Sequence, residues 1–169
     1  MFATSIAFFA LAGFASALVL AAISDVRRYL IPNRYPIAIA VAYGVFALQQ
    51  PVAQTLYGLA AGMLVLISGA LLFARGLMGG GDVKLLASVS LWAGPALAAP
   101  FLFMTALSGA VLGLLWLTPL RRLMPAPPEG DAVPADAATG LRARLRQPIP
   151  FGAAIAIGGL NVATLLVTR

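Results

Sequence analysis

The chain has no cysteine and no histidine. The first absence removes disulfides, thiolate metal sites and cysteine nucleophiles; the second removes the commonest general base and metal ligand. Charge is scarce too: 9% of 169 residues, eleven cationic against five acidic. A soluble domain carries about 25% charged residues. Chemistry here must come from Asp, Glu, Ser, Thr, Tyr, Lys or Arg. What is abundant is apolar: 62% of the residues, with a mean hydropathy of +0.98. A domain this size cannot hide that much apolar surface from water, which excludes a soluble fold, and disorder with it. The apolar residues run unbroken instead of alternating, against a transmembrane β-barrel. The expected fold is all-α: a single polytopic membrane domain over residues 1–169.

A bilayer crossing needs about 20 mostly apolar residues. Six stretches qualify or come near: 5–24, 36–48, 54–74, 83–92, 96–117 and 151–167. The second and fourth are short. The N-terminus lacks the basic region of a secretory signal. The first stretch is therefore read as a retained helix, although Ala15-Ser16-Ala17 resembles a cleavage site. Ten cations fall between spans one and two (Arg27, Arg28, Arg34), three and four (Arg75, Lys84), and five and six (Arg121, Arg122, Arg142, Arg144, Arg146). The intervening segments 49–53 and 93–95 carry no charge. Basic loops stay in the cytoplasm, so both termini are expected on the outer side. The long polar stretch at about 121–148 becomes a cytoplasmic loop, and its basic part, 141–146, is expected on anionic headgroups. With the cations so explained, nucleic acid is not an expected partner; membrane lipid is. Gly58 with Gly62, and Gly109 with Gly113, read as close helix packing or a homodimer face.

Three of the five acids, Glu129, Asp131 and Asp136, fall in the polar loop, where a solvated carboxylate is ordinary. Asp25 closes the first span in Ile23-Ser24-Asp25-Val26-Arg27-Arg28. Asp82 follows three glycines in Met78-Gly79-Gly80-Gly81-Asp82-Val83-Lys84. The topology puts both on one membrane face. Ionisable groups at membrane depth are costly and mark function by default. Two carboxylates sharing a site hold one proton between them near neutral pH. The ionised one acts as base on a water; the protonated one donates to the scissile carbonyl. This is aspartyl protease chemistry, and it needs neither His nor Cys. Gly79, Gly80 and Gly81 are expected to supply positive φ and close backbone approach, and Lys84 a nearby charge. Blander readings stand beside this one. Asp25 pairs with Arg27, Arg28 or Lys84; Asp82 is a helix N-cap; the glycines form a flexible turn. Two carboxylates make only a weak Mg²⁺ or Ca²⁺ site, so neither a metal nor a cofactor is expected. The glycine run lacks the spacing of a nucleotide loop.

These residues, with Ile31-Pro32-Asn33 after the first aspartate and Pro150-Phe151-Gly152-Ala153 opening the last span, resemble the type IV prepilin peptidases. These are membrane aspartyl proteases of the GxGD type, and the likeness is to the short bacterial branch that serves Flp/Tad-type pili. The resemblance implies that Asp25 and Asp82 are the catalytic pair and that Gly79, Gly80 and Gly81 shape the second aspartate's loop. Ile31, Pro32 and Asn33 would brace the turn after the first, and Pro150, Phe151 and Gly152 would border the site. It implies cleavage of prepilin or pseudopilin leaders at the cytoplasmic face of a bacterial inner membrane. Longer relatives carry an N-terminal domain with paired cysteines and also N-methylate the product. With no cysteine and no residues before the first span, this chain is expected to cut without methylating. The alternatives are a non-enzymatic scaffold, a small ion-coupled transporter, or, in the same class, an archaeal-type preflagellin peptidase.

Overall fold

In hydrocarbon, long apolar runs have one way to satisfy their backbone polar groups alone, the helix. The computed structural model describes residues 2–118 and 149–168, and these are helical with no strand among them. The loop expected at 121–148, with Arg121, Arg122, Arg142, Arg144 and Arg146, lies outside the described residues. The helices are α1 (Phe2–Arg28), α2 (Arg34–Ala47), α3 (Val52–Ala74), α4 (Gly80–Leu117) and α5 (Phe151–Val167). Three are long and apolar enough to cross a membrane, namely α1, α3 and α4. Their outer faces are heavily apolar: Phe9, Val41 (on α2), Leu64 and Phe103 are 62% to 73% exposed. Such a surface fits lipid, not water.

Two boundaries differ from the sequence expectation. Helix α1 runs on to Arg28, so Asp25 sits within its last turns rather than after it. The fourth and fifth apolar stretches form one element, α4, which breaks at Gly94 (φ 52°, ψ −171°). Only glycine adopts that conformation freely, and Pro95 then has no N–H to lose. The break reverses the chain. A straight helix would hold Asp82 and Gly109 about 40 Å apart, yet both lie beside Phe151. Farther along α5, Gly158 packs on Phe101 and Thr105, while Gly159 packs on Val89 and on Leu18 of α1. Helix α5 therefore runs parallel to the first limb of α4 (80–93) and antiparallel to the second (95–117). It is the most enclosed helix, burying Gly152, Ala154, Ile155, Ala156, Gly158, Gly159 and Val162.

Trp92, just before the break, anchors the far end of the bundle. Its ring stacks on Phe14 (4.5 Å) and Phe46 (5.0 Å) and meets Tyr43 edge-on (5.9 Å). Its Nε1–H donates to the Ile39 carbonyl at 3.1 Å. At 14 residues α2 spans only about 21 Å, and these contacts fix its depth.

Helix α3 lies at the edge, and its buried residues are Gly58, Gly62 and Gly69. The close packing expected of Gly58, Gly62 and Gly109 is present. Gly113 departs from it: a Cβ there would meet nothing within 4 Å. A Cβ on Gly58 would lie 2.6 Å from the Leu91 carbonyl oxygen and would collide with the Tyr43 hydroxyl. One on Gly62 meets chiefly the Leu91 side chain, which can rotate away. Gly58→Ala is thus expected to destabilise by about 1–3 kcal/mol, the usual cost of overpacking, and more than Gly62→Ala does. Thermal unfolding in detergent measures both; equal midpoints would mean that α3 is not seated by this contact.

Candidate active site

Asp25 is 94% buried, being 6% exposed, and its partner comes from the far end of the sequence. The Gly152 N–H donates to Asp25 Oδ2 at 2.7 Å. Gly152 is the second residue of α5, and an amide in that position has no partner inside its own helix. Pro150 begins α5 without a capping side chain, so Asp25 caps it from α1. The positive end of the helix favours a carboxylate there. The pairing with Arg27, Arg28 or Lys84 that composition allowed is not the one found; the bond found comes from the α5 backbone.

Asp82 is not the N-cap of α4. Gly79 is, and Asp82 stands three residues on, its carboxylate turned back toward Gly79. That is the position of the acidic residue in a capping box. The glycines also differ from expectation. Gly79 has φ −70°, Gly80 and Gly81 are helical, and the positive-φ glycines among the described residues are Gly76 and Gly94. What the three positions require is room. A Cβ on Gly79 would sit 2.9 Å from Asp82 Oδ2, one on Gly81 3.0 Å from Ile31 Cβ, and one on Gly80 3.3 Å from the Phe73 ring. Positive φ is used just upstream. Gly76 (φ 69°) ends α3, with the Leu77 N–H returning to the Leu72 carbonyl at 3.0 Å. This glycine turn swings the chain round to place Gly79.

The two carboxylates line one cavity of about 700 Å³, with Tyr29, Leu72, Gly76, Leu77, Met78, Gly79, Ile149 and Phe151. Asp82 lies within reach of the charge on Asp25. They are the two acidic side chains of the described residues, too few for a multidentate metal site. Of the other expected site residues, Gly79 and Phe151 line the cavity and the rest stand behind its wall. Ile31, 7% exposed, wedges between the aspartate elements, touching the backbone of Gly81 on α4 and of Gly152 on α5. Pro32 starts the turn into α2, its carbonyl accepting the Tyr35 N–H at 3.1 Å. Lys84 Nζ donates to Asn33 Oδ1 at 2.8 Å, tying that turn to α4. Lys84 thus faces away from the carboxylates, at one end of an apolar groove between α2 and α3, and is not the charge beside Asp82. Pro150 is buried, and Phe151 packs against Gly109 while lining the cavity. Tyr29, Leu72, Gly76, Leu77, Met78 and Ile149 were not expected there. For Tyr29 a signal existed: four residues past Asp25, it shares that face of the helix.

Residues 12–114 match the type IV leader peptidase family. The chain belongs to that family. The matched stretch holds both aspartates, the Ile31-Pro32-Asn33 turn and the glycine run. A relative, the prepilin leader peptidase/N-methyltransferase of Bacillus subtilis (strain 168), is 32% identical over 162 residues. That alignment covers 94% of this chain and 56% of the relative; the chain spans little more than half the relative's length. No solved structure matches significantly. This family member is a multi-pass membrane protein, as its apolar helices require.

Proposed function

We propose that the chain is a membrane aspartyl endopeptidase that removes the leader of type IV prepilins or pseudopilins at the cytoplasmic face of a bacterial inner membrane. One observation carries the reading: the two carboxylates of the described residues line one cavity. A scaffold role leaves that convergence unexplained. In this reading residues 1–169 form one domain that crosses the bilayer six times, the two limbs of α4 counting separately, with both termini outside. Arg27, Arg28, Arg34, Arg75 and Lys84 flank the aspartate end of the bundle, which supports a cytoplasmic site. Membrane lipid covers the outer faces. A homodimer has less support, because Gly58, Gly62 and Gly109 are packed within one chain.

The chemistry follows from a pair with one proton. The ionised aspartate takes a proton from water as the water oxygen bonds to the scissile carbonyl carbon. The protonated aspartate holds the carbonyl oxygen as it becomes an oxyanion. The C–N bond then breaks, and an aspartate proton passes to the departing amine. Gly79, Gly80, Gly81 and Ile31 let the elements that carry the two carboxylates pack closely, Pro32, Asn33 and Lys84 brace the turn, and Pro150, Phe151 and Gly152 set Asp25. No cofactor takes part. Methyl transfer is not part of the proposal, and the chain lacks the cysteines that mark the longer members.

The test is cleavage in membrane vesicles holding the full chain and a prepilin-like substrate, with the new N-terminus read by mass spectrometry and labelled S-adenosylmethionine present. A single cut after the leader, without label on the product, is expected. No cut defeats the peptidase reading; a labelled product defeats the peptidase-only reading.

A further inference from the structure

The groove between α2 and α3 lies outside the aspartate cavity, and its lining is ordered. Both helices pack on the first limb of α4, which forms the floor. Each of the three contributes one stripe, residues i, i+3, i+4 and i+7, beginning at Asn33 (the N-cap of α2), Leu59 on α3 and Lys84 on α4. That spacing is one face of a helix, and seven residues rise about 10 Å. Helix α3 runs the other way, Gly62 meeting Leu91 and Gly69 meeting Val83. Asn33 and Lys84 share the aspartate end of the groove. The rest of the lining is apolar apart from Ser88, whose hydroxyl donates to the Leu85 carbonyl at 2.8 Å. The groove opens to the bilayer, for Ile37 is 59% exposed and Met63 57%. It offers about 610 Å³.

We propose that this groove seats one anionic phospholipid, its phosphate on Lys84 Nζ and one acyl chain along the three stripes. Charge decides the head. Lys84 Nζ has three N–H donors, and Asn33 Oδ1 takes one of them at 2.8 Å. The carboxylates of the described residues, Asp25 and Asp82, line the other cavity. Asn33 adds its amide NH2 beside the ammonium. Basic pockets between membrane helices bind anionic headgroups in this way. Length decides the tail. An acyl chain reaches through one leaflet, about half of the ~30 Å hydrocarbon core. A groove of about 10 Å that is polar at one end suits such an occupant. A transmembrane helix would cross the whole core, and nothing in a purely apolar one matches a cation at the end. Lys84 also ties the Asn33 turn to α4, so bound lipid stabilises the folded chain by mass action.

The experiment takes the full chain in detergent micelles and titrates phosphatidylglycerol against phosphatidylcholine of the same chains. Native mass spectrometry reads the bound lipid, with the melting temperature beside it. Wild type is expected to retain phosphatidylglycerol in preference and to melt higher with it. Lys84→Gln is expected to weaken that binding about fivefold, the worth of one cation facing anionic lipid, and to leave phosphatidylcholine binding alone. Arg34→Gln is the matched control. It removes the same charge one residue from Asn33, but from a guanidinium that sits 4.9 Å over the Tyr35 ring, and phosphatidylglycerol binding should persist. Ala40→Trp fills the apolar end and should displace the lipid with Lys84 intact, which keeps the test decisive if Lys84→Gln fails to fold. Equal affinity of wild type for the two lipids overturns the proposal, as does equal loss in Arg34→Gln and Lys84→Gln. Full retention in Ala40→Trp leaves a headgroup on a surface lysine with no chain in the groove, and overturns it too. Release of bound phosphatidylglycerol by a prepilin-like substrate assigns the groove to the substrate's helix and overturns the lipid.

Discussion

Asp25→Asn and Asp82→Asn each lower leader cleavage by about 10³-fold or more, while both variants accumulate and melt like wild type. General acid–base groups contribute about 10²–10⁴ each, and members of a cooperating pair are strongly non-additive, so either loss removes most of the rate. The asparagine variants separate chemistry from architecture. Asp25 caps α5 through the Gly152 N–H at 2.7 Å. An asparagine oxygen accepts the same bond, so the cap survives and only the proton chemistry is lost. Asp25→Ala removes both, and it should melt lower by about 1 kcal/mol of lost capping. Asp82, whose carboxylate turns back on Gly79, allows the same comparison. If Asp25→Asn cuts normally, Asp25 is a cap and nothing more, and the dyad is wrong. A further consequence concerns pH. A pair that works with one proton is inactive when both groups are protonated and when both are ionised. Wild-type activity should therefore fall on both sides of an optimum, with two apparent pKa values that belong to the pair. A flat profile from acid to alkaline pH would count against a shared proton.

Much of this arrangement is legible in the chain before any coordinates. Alternation of basic and uncharged connections places Asp25 and Asp82 at one end, and they line a single cavity there. Periodicity needs only near neighbours, so the helices themselves are readable. The failures are informative in kind. Gly94-Pro95 reads as a short outer loop between two spans. Its backbone does reverse the chain, but so tightly that α4 runs nearly unbroken through it. The glycine run before Asp82 reads as a supplier of positive φ, yet its glycines serve tertiary space: the atoms that exclude a Cβ belong to Ile31, Phe73 and the Asp82 carboxylate. Local sequence reports that a side chain is missing without reporting what occupies its place. Lys84 fails similarly. It reads as a charge near Asp82, but two positions along a helix face different directions, and its partner is Asn33. An aromatic residue at a span end, as Tyr29 is, ordinarily reads as an interfacial anchor.

The Asp25–Gly152 contact joins positions 127 residues apart and has no local pattern at all. It yields the second large effect: Gly152→Ala is expected to lower cleavage about 100-fold, although alanine is the better helix former. A Cβ at this position would lie 2.8 Å from Asp25 Oδ2, 3.1 Å from Asp25 Cγ and 2.6 Å from Ile31 Cδ1. The Ile31 methyl can rotate aside. The carboxylate cannot, because the same residue's N–H holds it, and moving it forfeits a hydrogen bond to a charged group, about 1.5–3 kcal/mol, along with the alignment on Asp82. Gly113→Ala is the matched control, since a Cβ there meets nothing within 4 Å and activity should persist. Adding Ile31→Ala to Gly152→Ala decides the cause. It removes the Ile31 contact and leaves the carboxylate contact in place, so the double variant should stay inactive. Recovery of cleavage would show that the obstruction was the isoleucine, and that Gly152 serves the packing of the turn rather than the setting of Asp25.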